Sequence, residues 1–211
     1  MKTLCLIIIL CFFLFASGCD KNNDVTNTTG GSTTEKSYSG TANVTIKYYE
    51  YNALTGQDDF VEEKNYQYDT KIFVKQPLST GSTTETNPVN IQIYPDRTSS
   101  SGEEGHLDIS SAALFTVNNT NDLLLQYWSI SINGNTINGT LADTHTAEAA
   151  AANLLWAWDD VAGIHMTMPF PIAVNTTMQG TITDSNLQIT VQGESINTYR
   201  KFTATITAIR D

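Results

Sequence analysis

Apolar residues recur at every second position through most of the chain from Tyr38 onward. Ala42, Val44, Ile46 and Tyr48 alternate with Asn43, Thr45, Lys47 and Tyr49. Tyr66, Tyr68, Thr70, Ile72 and Val74 repeat the pattern, as do Val89, Ile91 and Ile93, and Leu107, Ile109, Ser111, Ala113 and Phe115. Later runs are Ile164 to Val174, Leu187 to Val191, and Phe202 to Ile206. Successive side chains on a strand point to opposite faces, so this period means strands buried on one face and wet on the other. Antiparallel sheets have that property, whereas parallel strands buried on both faces read as unbroken apolar runs. The chain is therefore all-β over most of its length.

The punctuation agrees. Asn133-Gly134 before Thr136 is a two-residue hairpin signal, because both residue types tolerate positive φ. Thr183 to Asn186 separates two further strand patterns, and Gly56 to Asp59 and Thr98 to Gly105 read as polar loops. Pro169 and Pro171 share one strand pattern and cannot donate ladder hydrogen bonds, which predicts an edge strand there. Leu123, Leu125 and Tyr127 change phase to Trp128, Ile130 and Ile132, which predicts a bulge. One segment breaks the rule. Thr144 to Asp159 predicts a helix, from the alanine run at 149–152 and the spacing of Ala151, Leu155 and Trp158. A start at Thr144 or Thr146 and a stop at Gly163 would bound it.

Sequential strands with short turns favour an antiparallel meander. About 8–10 strands with one inserted helix would curl into a β-barrel, which removes exposed edges. A β-sandwich is the alternative that the same pattern allows.

The N-terminus is of another kind. Lys2 precedes an apolar run from Leu4 to Phe15, then Ala16-Ser17-Gly18-Cys19 and polar Asp20-Lys21-Asn22. The run is shorter than the roughly 20 residues a membrane-spanning helix needs. A charged start, a short apolar stretch and small residues before a cut are the parts of a secretory signal. With a cysteine directly after them, the segment resembles a bacterial lipoprotein signal. That resemblance implies a cleaved signal peptide over 1–18 and a lipid on Cys19, the partner being a membrane. It implies a cell-envelope address, with the outer membrane, on its periplasmic face or at the cell surface, as our expectation. Residues 19–37 then form a lipidated, Asn/Thr/Gly/Ser-rich tether of about 23 Å root-mean-square reach, followed by one domain over 38–211.

The domain also resembles the lipocalin-like, or calycin-like, domains of bacterial lipoproteins. The resemblance covers the Tyr38-Ser39-Gly40 start, the meander and a closing Thr205-Ile206-Thr207-Ala208-Ile209 strand. It implies a lipocalin-like barrel. The lipocalin Gly-x-Trp signature is absent, Gly40 being followed by Thr41 and Ala42, so no binding residue carries over.

Composition narrows function more than it names it. On this reading Cys5 and Cys11 leave with the signal and Cys19 takes the lipid, so the mature domain has no disulfide, thiolate or cysteine nucleophile. The net charge of −11 argues against nucleic acid, which is bound through Lys and Arg on phosphate. His106, His145 and His165 match no metal spacing, and there is no Gly-x-Ser-x-Gly turn. We therefore expect no enzyme, no metal and no cofactor. Asp159-Asp160 is the most conspicuous acidic pair, oddly placed for a helix C-terminus. The remaining cluster is aromatic and sulfur-rich: Trp128, Trp156, Trp158, Met166, Met168 and Phe170. A helix capping an apolar cavity would make these the lining for a small apolar or amphipathic ligand. Aromatic stacking on a glycan is the other ligand reading, in a cell-surface module that binds glycans or proteins. Plain packing of helix on sheet is a third account of the same residues.

Overall fold

The alternating runs become strands almost wherever they occur. In the computed structural model the described residues are 34–76, 89–96, 102–117, 121–142, 147–161, 164–196 and 200–211. Cys19, its signal, His145 and Gly163 lie outside them. In chain order the elements are β1 (Thr34–Asn52), β2 (Gln57–Gln76), β3 (Asn90–Pro95), β4 (Leu107–Ser110), β5 (Ala112–Val117), β6 (Asn121–Gln126), β7 (Trp128–Asn133), β8 (Thr136–Leu141), α1 (Ala147–Ala152), β9 (Asn153–Val161), β10 (Ile164–Pro171), β11 (Thr177–Ile182), β12 (Asn186–Glu194) and β13 (Arg200–Arg210). Thr34 already belongs to β1, so strand pairing begins a few residues inside the stretch read as tether. Ion pairs from Glu35 to Lys75 and from Lys36 to Asp184 hold that start.

Eleven strands form one antiparallel sheet in the order β10-β9-β4-β3-β2-β1-β13-β12-β11-β8-β7, while β5 and β6 pair apart as a ribbon. The meander runs from β1 to β4 and from β11 to β13, and β1 pairs with β13 to join the two. The middle of the chain adds to both ends: β9 joins β4, and β8 joins β11. The sheet curls into a half-barrel. Tyr48 of β1 stacks on Trp158 of β9 at 4.8 Å although three strands separate them in the sheet. At the opposite end, the Trp128 indole N–H donates to the Asn153 side-chain oxygen at 2.8 Å, so β7 approaches β9 through side chains. The prolines of β10 do sit on an edge strand.

Two expectations are corrected. The helix is α1 alone, and residues from Asn153 are strand β9, paired with β10 and β4. The alanines carry the helix to Ala152, where the Asn153 amide donates back to the Ala149 carbonyl. Beyond it Leu155 and Ala157 are buried while Leu154, Trp156 and Trp158 are not, a period of two. The Asp159-Asp160 pair is thus on a strand, and its conflict with a helix dipole vanishes. The phase change at Tyr127 is the expected bulge, set at the corner between β6 and β7: the N–H groups of Tyr127 and Trp128 both donate to the Ser111 carbonyl, two residues against one. The β7–β8 turn is one residue later than expected, Gly134-Asn135, with Gly134 at φ 59°. Glycine alone at positive φ in first place is the II′ arrangement.

One face of the sheet holds the core. Ala42, Val44 and Ile46 of β1, Ile189 and Val191 of β12, and Phe202, Ala204 and Ile206 of β13 are buried together with residues from β2, β3, β4, β8, β9 and β11. At the rim of that face Glu104 accepts from the hydroxyls of Tyr48 and Tyr66 and pairs with Lys64.

The outer face obeys a different rule. Strand register lines up Ser131, Asn138, Gln179, Thr190, Thr205, Asn43 and Gln67 in one row across seven strands. The flanking rows, from Asn133 to Asp69 and from Ser129 to Asn65, are likewise Ser, Thr, Asn or Gln at every position but Asp69.

Candidate functional site

The six residues singled out from sequence are held by different neighbours. Trp128 is 1 % exposed and fixed by Asn153. Trp156 donates its indole N–H to Asp108 at 2.8 Å, and Gly102 lies so close to its ring that a Cβ there would collide. Trp158 is sandwiched between the rings of Tyr48 and His165, each at 4.8 Å. Lys64 and Arg200 both approach its ring, and Arg200 donates to the Trp158 carbonyl at 3.0 and 2.5 Å. Arg200 also lies 4.1 Å over Phe170, which is buried, and pairs with Asp159. Met168 packs against the core, while Met166 is 43 % exposed on the edge strand. The structure brings Trp158, Met168 and Phe170 to one rim, where they fasten the β9–β10 hairpin, and leaves Trp128 elsewhere.

His106 accepts the Glu103 backbone N–H through Nδ1 and packs on Tyr68. Among the described residues no three His, Cys, Asp or Glu side chains converge as a metal would need.

A second place was not singled out from sequence. On the outer face a groove of about 460 Å³ is lined by Thr45, Lys47 and Tyr49 of β1, Gln192 and Glu194 of β12, Lys201 and Thr203 of β13, and Val174, Asn175 and Thr176. Its floor is sheet, and its wall is the strap of 172–176 between β10 and β11. The strap is tied down on both sides: Ala173 N–H donates to Glu194, Asn175 N–H to Leu141, and Leu141 N–H to Thr176. Asn175 has φ 68°, the left-handed region that Asn tolerates better than most residues. Gly193 makes the close approach possible, since a Cβ there would meet the Thr176 hydroxyl at 2.1 Å.

Charges cross the groove in one row. Glu63, Lys47, Lys201 and Glu194 are successive cross-strand neighbours. The two lysines stand directly opposite each other, which is unfavourable alone. Glu63 lies 3.5 Å from Lys47, and Lys201 sits 5.2 Å over the Tyr49 ring. The row is neutral in sum. Tyr49 continues into an aromatic face: Phe60 meets it edge-on at 5.8 Å, and Tyr51 follows two residues along. The groove thus offers hydroxyls, amides and ammoniums around one aromatic ring, in the open. Such a set hydrogen-bonds polar hydroxyl-rich groups and stacks their apolar faces. The signal in the sequence was the polar half of each alternating run, read only as the wet side.

No family model, no curated protein and no solved structure matches the chain.

Proposed function

We propose that this chain is a lipid-anchored, non-enzymatic protein of the bacterial cell envelope, held at the outer membrane, that binds glycans through the groove on the outer face of its sheet. The observation that carries the reading is the groove: one aromatic ring, Tyr49, among Thr45, Gln192, Asn175 and Thr203, with a lysine over the ring. The apolar-ligand alternative has less support, because the aromatic and methionine residues it needed are, Met166 apart, engaged with neighbouring side chains and with the core. The anchor rests on Cys19 behind its short apolar run. Among the described residues no helix is long and apolar enough to cross a membrane.

Two experiments test the reading. Calorimetric titration with neutral oligosaccharides should give binding that Tyr49→Ala weakens by about two- to twelvefold, the loss of one stacking contact at roughly 0.5–1.5 kcal/mol. Unchanged binding by that variant would remove the groove from the account. Metabolic labelling with a fatty acid should mark the wild-type protein and not Cys19→Ser. Label on both would remove the anchor.

A further inference from the structure

We infer that the groove is one end of a longer track, and that the ligand is an extended, uncharged polysaccharide rather than a single sugar. The inference rests on the glycan reading of the groove. From Tyr49 the outer face continues along β1 through Thr45 and Asn43 to Thr41, eight residues or about 27 Å at the rise of an antiparallel strand. Beside them on β13 run Thr203, Thr205 and Thr207, paired one to one. A disaccharide fills the groove only, while a chain of several units reaches the lattice of Thr, Asn and Gln beyond it.

The composition of that lattice argues for the ligand. A chain of net charge −11 keeps charge off all three of these rows except at Asp69. Charge returns at once outside them, with Lys47 and Lys201 at the groove end and Lys71 at the other. Surfaces selected only for solubility mix charges at about 25–35 % of positions. Thr, Asn and Gln each present donor and acceptor capacity, and Thr adds a methyl. The strand period repeats this set every two residues along the chain and about 4.8 Å across it. A hydroxyl-rich polymer repeats its own donors and acceptors in the same way. A polyanion would gain no cation on the lattice and would meet the net negative charge of the domain.

The test uses linear gluco-, manno- and galacto-oligosaccharides from disaccharide to octasaccharide, titrated calorimetrically into the purified protein and into Thr207→Glu. Thr207 is exposed at the far end of the track and is not among the residues that line the groove, so its replacement should leave the fold intact, checked by an unchanged melting temperature. Affinity for at least one series should rise with length. Thr207→Glu should reduce octasaccharide affinity about tenfold, as loss of two hydrogen bonds would, and leave disaccharide affinity unchanged. Affinity that is flat beyond the disaccharide, or indifferent to Thr207→Glu, would overturn the track and leave the groove. Equal affinity for a polyuronate of the same length would overturn the neutral ligand. No binding at any length would overturn both the track and the glycan reading.

Discussion

Asn153 shows how one side chain can join distant parts of the fold. It is fully buried, accepts from the Trp128 indole, donates to the Ala149 carbonyl, and its own carbonyl accepts from Ile172. Asn153→Ala leaves a buried indole N–H unpaired, which costs about 1–3 kcal/mol. Urea unfolding should show that loss, and an unchanged midpoint would mean the pairing contributes nothing. Tyr48 and Tyr66 make a second residue-scale case. Burial, and hydrogen bonding to the shared Glu104 carboxylate, push both phenols well above their ordinary value of 10. Phenols that ionise later when folded stabilise the fold fully below pH 10, and the gain is lost as pH rises past it, because the unfolded chain ionises first. The urea midpoint should therefore fall steeply over roughly pH 9.5 to 11, where free phenols ionise. Tyr66→Phe should make the fall shallower.

At the scale of elements, the strap of 172–176 sets the groove. Gly193→Ala puts a methyl into the Thr176 side chain, and Thr176 is itself buried and bonded to the Ala173 carbonyl at 2.7 Å. The strap must lift, at about 1–3 kcal/mol for such overpacking. The amides of Leu141 and Asn175 should then exchange hydrogen faster, with those of Ile189 and Val191 unaffected. Uniform acceleration would mean global unfolding instead. Asn175→Gly should hold the strap, while Asn175→Val, forced into a left-handed conformation, should cost about 1–3 kcal/mol. Elements were unequally legible in the sequence. β1, β12 and β13 read directly from their alternation. β9 did not, because Ala151, Leu155 and Trp158 satisfy a helical spacing while Leu155 and Ala157 satisfy a strand spacing. Sheet pairing resolved the ambiguity: Trp156 and Trp158 lie against β10 partners, where aromatics fit well.

For the whole molecule, alternation carried the all-β class and the curl, since one apolar face on so many strands must wrap something. It could not carry strand order. The joins of β8 to β11 and β4 to β9 depend on contacts far apart in sequence, and no local pattern encodes them. The candidate site was hidden for the same reason. Tyr49, Gln192, Thr203 and Asn175 are ordinary wet-side residues until register and strap bring them together. Conversely, the three tryptophans, conspicuous in the sequence, are held by neighbours: Trp128 by Asn153, Trp156 by Asp108, and Trp158 between Tyr48 and His165. In the proposed function the labour is divided: the inner face of the half-barrel holds the fold, and the outer face is the one proposed to bind.

That division is tested most directly by backbone amide chemical shifts on titration of a neutral oligosaccharide that binds. Shifts should centre on Tyr49, Asn175, Gln192, Lys201 and Thr203 and spread along β1 and β13. Shifts centred instead on Trp158, Met166, Met168 and Phe170 would contradict the account and return the site to the inner rim.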